Sequence, residues 1–491
     1  MIPSTFQTAI FDTIKDNNSV NMMISAVAGS GKTTTIVKAL SLIPSQKKVI
    51  MLAFNKKIAE ELSNRVNLAN VQIKTFHAVG LQVCRNLCRN PNIDTSKVRN
   101  IIYQYAEYFE IDTDSVNGWD SLSKILSIGK NSGIGCIYPN NEESWMNVIN
   151  HHDIFRDEEP DFHILIPALI KCLNKNNSIH NIIDFDDMVY FPILFNLPFP
   201  KYDWVFADEV QDASEINRKS LSNLVSTHGR LCVVGDPHQA IYGFRGADSN
   251  SMLCLKNEFN CKELPLSVSY RCSRRIVAEA QSVVSHILPS DTADAGTVYS
   301  LNDYSPENFI SKSTSAVVCR NTAPLVKMTY SFISRGIPAV MLGRDIGKGI
   351  ITLIKSFKCK EVSGLKGKLD DWKSKMLDKC NGDEKLAEAI IDKSECVNIF
   401  INNTTETLTT SLISEIEKFF SDTTEAGKIT LSTVHKSKGL EWDKVFILDR
   451  SKFYPKWATK DWMQEQEKNI HYVALTRAKN ELIYIDSDCW K

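Results

Sequence analysis

The segment AVAGSGKTT, residues 26–34, constrains the fold more than any other part of the sequence. A short apolar run, 22–28, leads into it, and a segment with helical spacing of apolar residues, 32–43, follows it. Strand, glycine-rich loop and helix in this order predict a phosphate-binding loop, because glycines let backbone N–H groups approach phosphate oxygens closely. The residues of the predicted loop are Ala26, Val27, Ala28, Gly29, Ser30, Gly31, Lys32, Thr33 and Thr34.

Two side chains of this loop have predicted chemical roles. Lys32 is expected on the β- and γ-phosphates of ATP, and Thr33 is expected to ligate Mg²⁺. A loop rich in Gly, Ser and Lys by chance is the alternative interpretation. The strand before the loop and the helix after it argue against that alternative. Ala26 departs from the general phosphate-loop pattern, which has glycine at this position.

Two more apolar runs end in polar residues. YDWVFADE, 202–209, ends in Asp208 and Glu209, and GRLCVVGD, 229–236, is soon followed by Gln239. We predict that Asp208 holds Mg²⁺ through a water molecule and that Glu209 polarises the attacking water. Gln239 is predicted to sense the γ-phosphate by hydrogen bonding. Polar surface loops are the alternative, but they do not explain carboxylates directly after a buried strand.

The order of apolar runs predicts the architecture. Strand-like and helix-like segments alternate around the loop, which indicates a parallel α/β sheet with ligands at the carboxyl ends of its strands. Residues 81–180 break this rhythm and are expected to form an inserted helical subdomain. A second α/β rhythm begins near 314–343 and is interrupted by a charged helical block, about 350–425. The fold class is therefore predicted to be α/β, with two such domains.

Composition excludes some classes of protein. The chain has 491 residues, a formal net charge of -1 and 43% hydrophobic residues. A histone-like, non-specific nucleic-acid binder would be far more basic, so the net charge excludes that class. The N-terminus lacks the pattern of a signal peptide, and no apolar stretch reaches 18 residues, so neither secretion nor a membrane span is expected. The 13 cysteines form no CxxC pair, which predicts free thiols in a reducing cytoplasm and no metal cluster.

A series of motifs in one order runs through most of the chain. They are STFQTAIFD, AVAGSGKTT, MLAFNKKIAEEL, KTFHAVG, IIDFDDMVY, ADEVQDAS, GDPHQAIYGFRGAD, SYRCS, LSTVHKSKGLEWDKVFI and HYVALTRAK. In this order they resemble the motifs of the UvrD/Rep-type superfamily 1 DNA helicases, and the segments 182–190 and 433–441 resemble the 3′→5′ branch.

The resemblance implies two RecA-like domains with ATP in the cleft between them, each with a mostly helical insertion. It implies a first domain of 1–80 and 181–262, with 81–180 as its insertion. It implies a second domain of 263–350 and 426–491, with a smaller insertion at 351–425. The cofactors it implies are ATP and Mg²⁺.

The resemblance also assigns residues around ATP. Gln7 is expected to read adenine, Tyr270 to stack on the base, and Glu441 to contact the ribose. Arg271 and Arg477 are expected to reach the γ-phosphoryl oxygens, where an arginine contributes about 10³–10⁵ in rate. Both arginines lie in the second half of the chain, so hydrolysis would depend on a domain movement.

DNA contacts follow from the same resemblance. A motor on single-stranded DNA needs aromatic stacking platforms and contacts to the phosphate backbone. The implied residues are Phe54, Asn55, Thr75, His77, Phe244, Thr433 and His435, and Asn55 and Lys56 are expected to link phosphate contacts to the ATP site. Phe76 is a further aromatic candidate, for which a place in the core is the favoured alternative. The lysine-rich segment 355–374 is either a solvated helix face, which we favour, or a duplex-binding surface.

The predicted function is an ATP-dependent 3′→5′ DNA helicase or translocase acting on single-stranded DNA and single-strand/duplex junctions. A DNA-stimulated ATPase that moves or displaces proteins without unwinding is one alternative, and a regulatory DNA-binding module with little ATPase activity is another. The chain ends soon after Arg477 with one strand, 481–486, where larger relatives have a duplex-splitting hairpin, so translocation is better supported than unwinding by that hairpin. We expect a monomer able to self-associate, with replication or repair partners. The compact, Asn/Lys/Ile-rich chain would suit a phage enzyme in the host cytoplasm.

Overall fold

The computed structural model describes residues 3–16, 20–106, 118–152, 162–241, 250–301, 305–309, 314–378, 380 and 383–487. The chain divides into two compact units. The first comprises Met1–Val27 and Gly31–Ser267, and the second comprises Ala28–Ser30 and Val268–Lys491. No helix in these described ranges is long and apolar enough to cross a membrane.

The first unit is built on a six-stranded parallel sheet with the order β3-β2-β6-β7-β1-β8. Its strands are β1 Met22–Ala26, β2 Val49–Ala53, β3 Val71–Thr75, β6 Tyr202–Ala207, β7 Val225–Gly235 and β8 Lys262–Leu266; a separate small pair is formed by β4 Asn92–Ile93 and β5 Ile182–Ile183. Strand β2 (VIMLA) is buried at every position, as expected for a central strand covered on both faces.

Helices cover this sheet and form the insertion. They are α1 Thr5–Lys15, α2 Lys32–Leu40, α3 Lys56–Arg65, α4 Phe76–Cys84, α5 Lys97–Ala106, α6 Gly118–Asn131, α7 Glu142–His152, α8 Phe162–Ser178, α9 Phe185–Leu194, α10 Glu215–Leu224 and α11 Ser251–Glu258. Helices α5–α8 fall within 81–180, the stretch expected to be helical from its sequence.

The end of helix α1 is fixed to the sheet by Arg230 on β7. The Arg230 guanidinium donates hydrogen bonds to the carbonyl oxygens of Thr13, Ile14, Asp16 and Val20, at 2.8–3.3 Å. These carbonyls lie at and just beyond the helix C-terminus, where backbone acceptors lack intrahelical partners and a cation is favourable. One buried side chain thus anchors the first helix to the sheet.

The helical insertion is joined to α9 through buried charges. Lys130 contacts Asp184 at 2.7 Å and Asp187 at 2.8 Å, and Lys97 contacts Asp187 at 2.6 Å. Asp184 and Asp187 also form a reciprocal capping box at the start of α9. Helix α4 packs so closely on α9 that a Cβ at Gly80 would collide with the backbone carbonyl of Met188.

The second unit contains a seven-stranded parallel sheet with the order β11-β17-β16-β12-β15-β13-β14. Its strands are β11 Thr297–Ser300, β12 Ser315–Cys319, β13 Ala339–Leu342, β14 Phe420–Ser421, β15 Ile429–Thr433, β16 Trp442–Leu448 and β17 Ala478–Ile485; β9 Val268–Ser269 pairs separately with β10 Leu288–Pro289. The predicted α/β class, with parallel sheets in two domains, is confirmed.

The helices of the second unit include the predicted charged block. They are α12 Arg274–Ala280, α13 Pro306–Phe309, α14 Ala323–Ser334, α15 Arg344–Ser356, α16 Leu365–Asp378, α17 Glu384–Asn403, α18 Thr409–Phe419, α19 Val434–Ser437 and α20 Asp461–Leu475. Helix α17 docks on the rest of the unit through Asp392, whose carboxylate accepts hydrogen bonds from the N–H groups of Thr322 and Ala323 at the start of α14.

Candidate functional site

The phosphate loop joins β1 to α2, two elements of the first unit. Gly31, with φ 75°, precedes α2 in the left-handed region, and Gly29 has φ 70°. Both conformations favour glycine, which explains its use at these two positions. In the described structure no side chain caps the first turn of α2, so its N–H groups form a ready anion site.

Lys32 is surrounded by carboxylates of the same unit. Its Nζ lies 2.9 Å from Glu209 Oε1. Burial by itself would lower the pKa of Lys32, but the charges of Glu209, Asp236 and Asp208 outweigh it and hold that pKa above its usual value. Lys32 is therefore a fully charged ammonium group at the predicted phosphate position.

Asp208 and Glu209 follow β6 directly, as predicted. Burial, followed by the neighbouring charge of Glu209, raises the pKa of Asp208 to about 7. Glu209 has φ 55° and ψ 36°, a conformation that costs free energy for a residue with a side chain. The carboxylate of this residue is the one that contacts Lys32.

A relay of hydrogen bonds connects the two polar strand ends. Gln211 Nε2 donates to Glu209 Oε2 at 2.6 Å, and Gln211 Oε1 accepts from the N–H of Asp236 at 3.1 Å. Gln239 Nε2 then donates to Asp236 Oδ2 at 2.6 Å. A Cβ at Gly235 would come within 2.6 Å of Gln211 Oε1, so this close approach needs glycine. Glu209 and Gln239 are thus brought into one connected network.

Sequence reasoning missed two members of this network, Gln211 and Asp236. Asp236 is completely buried, and burial raises its pKa despite the opposing charge of Lys32. Both residues were visible in the motifs ADEVQD and VVGD. The signal that could have identified Asp236 is its place at the end of a buried strand. Asp208 was predicted from that same feature.

Gln7, predicted to read adenine, is buried beside α2. Its Oε1 accepts a hydrogen bond from Ser4 N–H at 3.1 Å, and its Nε2 donates to Thr35 Oγ1 at 2.9 Å. The first bond is half of a capping box at the start of α1. Gln7 therefore has a structural role in the protein, and reading of adenine stays a prediction.

The second unit brings three of the predicted residues, Arg271, Glu441 and Arg477, together with Lys479, which was not predicted. Arg271 Nε lies 2.6 Å from Glu441 Oε2, and Lys479 Nζ lies 2.9 Å from Glu441 Oε1. Arg477 is 1% exposed and donates to the carbonyl oxygens of Val473 and Leu440, both at 2.9 Å. Burial, followed by the charge of Arg271, lowers the pKa of Arg477 to about 9. Tyr270 is 45% exposed.

Three of the predicted DNA-contacting residues are helix N-caps. The side-chain oxygens of Asn55, Thr75 and Thr433 accept hydrogen bonds from backbone N–H groups in the first turns of α3, α4 and α19, at 2.9, 3.1 and 3.4 Å. All three stand at or just after the carboxyl end of a parallel strand, where ligands bind in such sheets. Each residue therefore stabilises a helix at an edge suited to phosphate contacts.

The aromatic candidates separate by exposure. Phe54 is 37% exposed, and His77 is exposed beside the ring of Phe185. Phe76 belongs to the hydrophobic core, which favours a packing role for its ring over base stacking. His435 is partly buried. Phe244 lies outside the described residues, and its role stays a prediction.

The lysine-rich segment includes α16, whose buried stripe consists of Leu365, Leu369 and Met376. At about 100° per residue, four lysines flank this stripe, two on each side: Lys366 and Lys373, and Lys368 and Lys375. The outer face carries Asp370, Asp371 and Asp378 instead. The lysines do not share one face, which favours the solvated-face interpretation.

Comparison with known proteins agrees with these observations. The UvrD/REP helicase N-terminal domain matches residues 12–260, and the UvrD-like helicase C-terminal domain matches 348–488. The DNA helicase II of Rickettsia typhi is 23% identical, over 94% of this chain and 89% of the relative. The probable DNA helicase II homolog of Mycoplasma genitalium is 27% identical over 56% of this chain, and the ATP-dependent DNA helicase Rep of Buchnera aphidicola is 29% identical over 54%. The chain spans only 42% and 41% of the last two relatives.

A phosphate loop at the end of one parallel strand, with carboxylates at the ends of β6 and β7 in the same sheet, defines a nucleotide-binding P-loop protein of the α/β class. The two matched regions together cover most of the chain. The chain belongs to the UvrD/Rep helicase family, the family of ATP-dependent DNA helicases, and the predicted resemblance is confirmed.

Proposed function

We propose that this chain is an ATP-dependent DNA helicase that translocates 3′→5′ along single-stranded DNA. The observation that carries the proposal is the charged network of the first unit. In it, Lys32 contacts Glu209, and Gln211 and Asp236 connect Glu209 to Gln239. A phosphate-binding cation, a general base and a hydrogen-bonding sensor are the parts that ATP hydrolysis requires.

ATP hydrolysis would use these residues in named roles. Lys32 would neutralise charge on the β- and γ-phosphates, Glu209 would orient and polarise the attacking water, and Gln239 would hydrogen-bond the γ-phosphate. We further propose that Arg271 and Arg477 of the second unit supply positive charge to the transferring phosphoryl group. Turnover would then depend on residues of both units.

A magnesium ion fits the chemistry of the first unit. One lysine, Lys32, is accompanied there by three carboxylates, those of Asp208, Glu209 and Asp236. Mg²⁺ is usually bound by one or two carboxylates together with substrate phosphates, and it neutralises charge on the β- and γ-oxygens. Asp208, through water, and the hydroxyl of Thr33 are the groups that would hold it. In the described part of the chain, no group of three or more His, Cys, Asp or Glu side chains is arranged to hold a metal by itself.

The remaining ATP contacts are proposed from the family. We propose that Gln7 reads adenine, that Tyr270 stacks on it, and that Glu441 contacts the ribose. The half-exposed ring of Tyr270 supports a stacking role. The proposed RecA-like domains are 1–80 with 181–262 and 263–350 with 426–491, and the insertions are 81–180 and 351–425.

Single-stranded DNA, including its junctions with duplex, is the proposed polymer substrate. Exposed Phe54 and His77 would stack on bases, each contributing about 1–3 kcal/mol. The helix starts at Asn55, Thr75 and Thr433 would bind backbone phosphates through N–H groups of their first turns, and His435 would contact the backbone from the same helix as Thr433. A monomeric motor, replication or repair partners, and a phage origin with action in the host cytoplasm stay predictions.

Strand displacement tests the proposal directly. Duplexes with a 3′ or a 5′ single-stranded tail are incubated with the chain, Mg²⁺ and ATP, and release of the labelled strand is measured. We expect release from the 3′-tailed substrate only. ATPase activity that single-stranded DNA stimulates without strand release would indicate translocation without unwinding. ATPase activity indifferent both to DNA and to Lys32→Ala would indicate the regulatory module and overturn the proposal.

A further inference from the structure

Three charged side chains of the second unit form a bridge with a shared carboxylate at its centre. Arg271 contacts Oε2 of Glu441 at 2.6 Å, and Lys479 contacts Oε1 of the same residue at 2.9 Å. The two cations therefore occupy different oxygens and do not exclude each other. The side chains of Glu441 and Lys479 are 40% and 35% exposed, whereas that of Arg271 is 19% exposed.

The bridge contains more positive than negative charge. Burial lowers the pKa of Arg477, and the positive charge of Arg271 lowers it further. Glu441 stays ionised, because Arg271 and Lys479 together outweigh the effect of its partial burial and lower its pKa. One carboxylate thus holds two cations while a third, Arg477, repels one of them.

The proposed function requires Arg271 to change partner. Arg271 is paired with Glu441 in the chain alone, but it must face the phosphoryl oxygens of ATP during hydrolysis. Departure of Arg271 leaves Glu441 in a half-buried position. A carboxylate in such a position without a counter-ion is unfavourable. Lys479 already contacts the other oxygen, so Glu441 remains paired when Arg271 leaves.

We propose that Lys479 is a positioning residue that determines how readily Arg271 leaves Glu441 for the phosphates of ATP. The proposal rests on the proposed function, in which Arg271 acts on the transferring phosphoryl group. Without Lys479, Glu441 has Arg271 as its single partner in the bridge and retains it. The effect is moderate, because partly exposed ion pairs are screened by solvent, and about a three- to fivefold change in kcat is expected.

Steady-state ATP hydrolysis by the full chain, at saturating single-stranded DNA, tests the proposal. Lys479→Gln is expected to lower kcat about three- to fivefold, and Lys479→Arg, which keeps the charge, is expected to restore it. Lys444→Gln is the matched control. Lys444 pairs with Glu481 at 3.6 Å in the same unit, so the control removes the same charge from another lysine–glutamate pair and should leave kcat unchanged.

The double variant distinguishes positioning from an independent effect. In a Glu441→Gln background Lys479 has no carboxylate to hold, so adding Lys479→Gln should leave kcat unchanged. An equal loss of kcat in both backgrounds, or wild-type kcat for Lys479→Gln, would overturn the proposal. Arg271→Ala is assayed in parallel. Wild-type kcat in that variant would reject the proposed role of Arg271 itself, which separates failure of the proposed function from failure of the role of Lys479.

Discussion

The first unit contains two buried lysine–carboxylate clusters that differ in charge balance. In the cluster that joins the insertion to α9, which we call the balanced cluster, Lys97 and Lys130 form direct ion pairs with Asp184 and Asp187, and Asp186 adds a further negative charge near Lys130. In the nucleotide cluster Lys32 forms one direct ion pair, with Glu209, and the charges of Asp208 and Asp236 also act on it. Two lysines therefore serve the carboxylates of the first cluster, whereas one lysine serves the three carboxylates of the second.

The pKa directions follow this difference in part. In the balanced cluster Lys130 and Lys97 outweigh burial and lower the pKa of Asp187, whereas burial raises the pKa of Asp184, which pairs with Lys130 alone. In the nucleotide cluster one lysine cannot offset burial and mutual repulsion, so the pKa values of Asp208 and Asp236 are raised. Backbone strain at Glu209 occurs in the second cluster. The comparison teaches that balanced buried charge holds a structure together, whereas unbalanced buried charge is prepared for a cation.

The largest expected effect is loss of catalysis in the nucleotide cluster. Lys32→Ala removes the lysine of the nucleotide cluster, and Glu209→Gln removes the base, so each should lower ATP turnover by about 10²–10³-fold or more. Glu209→Gln should keep ATP binding, measured by fluorescent-nucleotide titration. Lys38→Ala, an exposed lysine on the same helix, is the control. Near-wild-type turnover in either site variant would overturn the site assignment.

Loss of a lysine from the balanced cluster should act on stability instead. Lys130→Met leaves Asp184 buried without its cation, which is expected to lower the free energy of unfolding by about 3–5 kcal/mol. Urea denaturation followed by circular dichroism measures the change, and Lys219→Met, on an exposed lysine of α10, is the control. If the two variants unfold at the same urea concentration, the buried cluster does not hold the insertion in place.

Removal of excess charge from the nucleotide cluster should stabilise the chain while it damages hydrolysis. The pKa of Asp208 is raised to about 7 in the folded chain, so folding takes up a proton between pH 4 and 7 and stability falls as pH rises through that window. Asp208→Asn should remove this fall and gain roughly 4 kcal/mol at pH 8. Urea midpoints measured from pH 5 to 8 in EDTA, without nucleotide, check this. A parallel pH dependence in wild type and variant would contradict it.

The smallest effect is expected for an ion pair that is not buried. Lys56 and Glu60 lie 3.7 Å apart on α3, with side chains 91% and 64% exposed. Lys56→Ala should change the free energy of unfolding by less than about 0.5 kcal/mol, because solvent screens such pairs. Thermal unfolding of Lys56→Ala and of Lys130→Met shows whether the loss of stability depends on burial of the ion pair or on pairing alone. A loss for Lys56→Ala as large as that for Lys130→Met would remove the distinction.

Local patterns in the sequence were sufficient for the elements and for much of the candidate site. The apolar runs before Lys32, Asp208 and Gln239 predicted strands, and β1, β6 and β7 lie at these positions. Parallel strands present their carboxyl ends at one edge, so residues far apart in the chain were expected together. The 2.9 Å contact of Lys32 with Glu209 fulfils that expectation for one pair. These inferences needed only periodicity and the geometry of a parallel sheet.

The tertiary structure decided which side chains meet and how each is held. Lys97 reaches Asp187 across 90 positions of sequence, and no local pattern indicates such a partner. The left-handed backbone at Glu209 and the relay through Gln211 also depend on how neighbouring strand ends pack. The surroundings of a carboxylate, rather than its residue type, determine whether a cation pairs with it. Tertiary packing therefore sets the balance of buried charge. The sequence alone determined the parts of the phosphate site, and the packing of distant segments determined their geometry and charge.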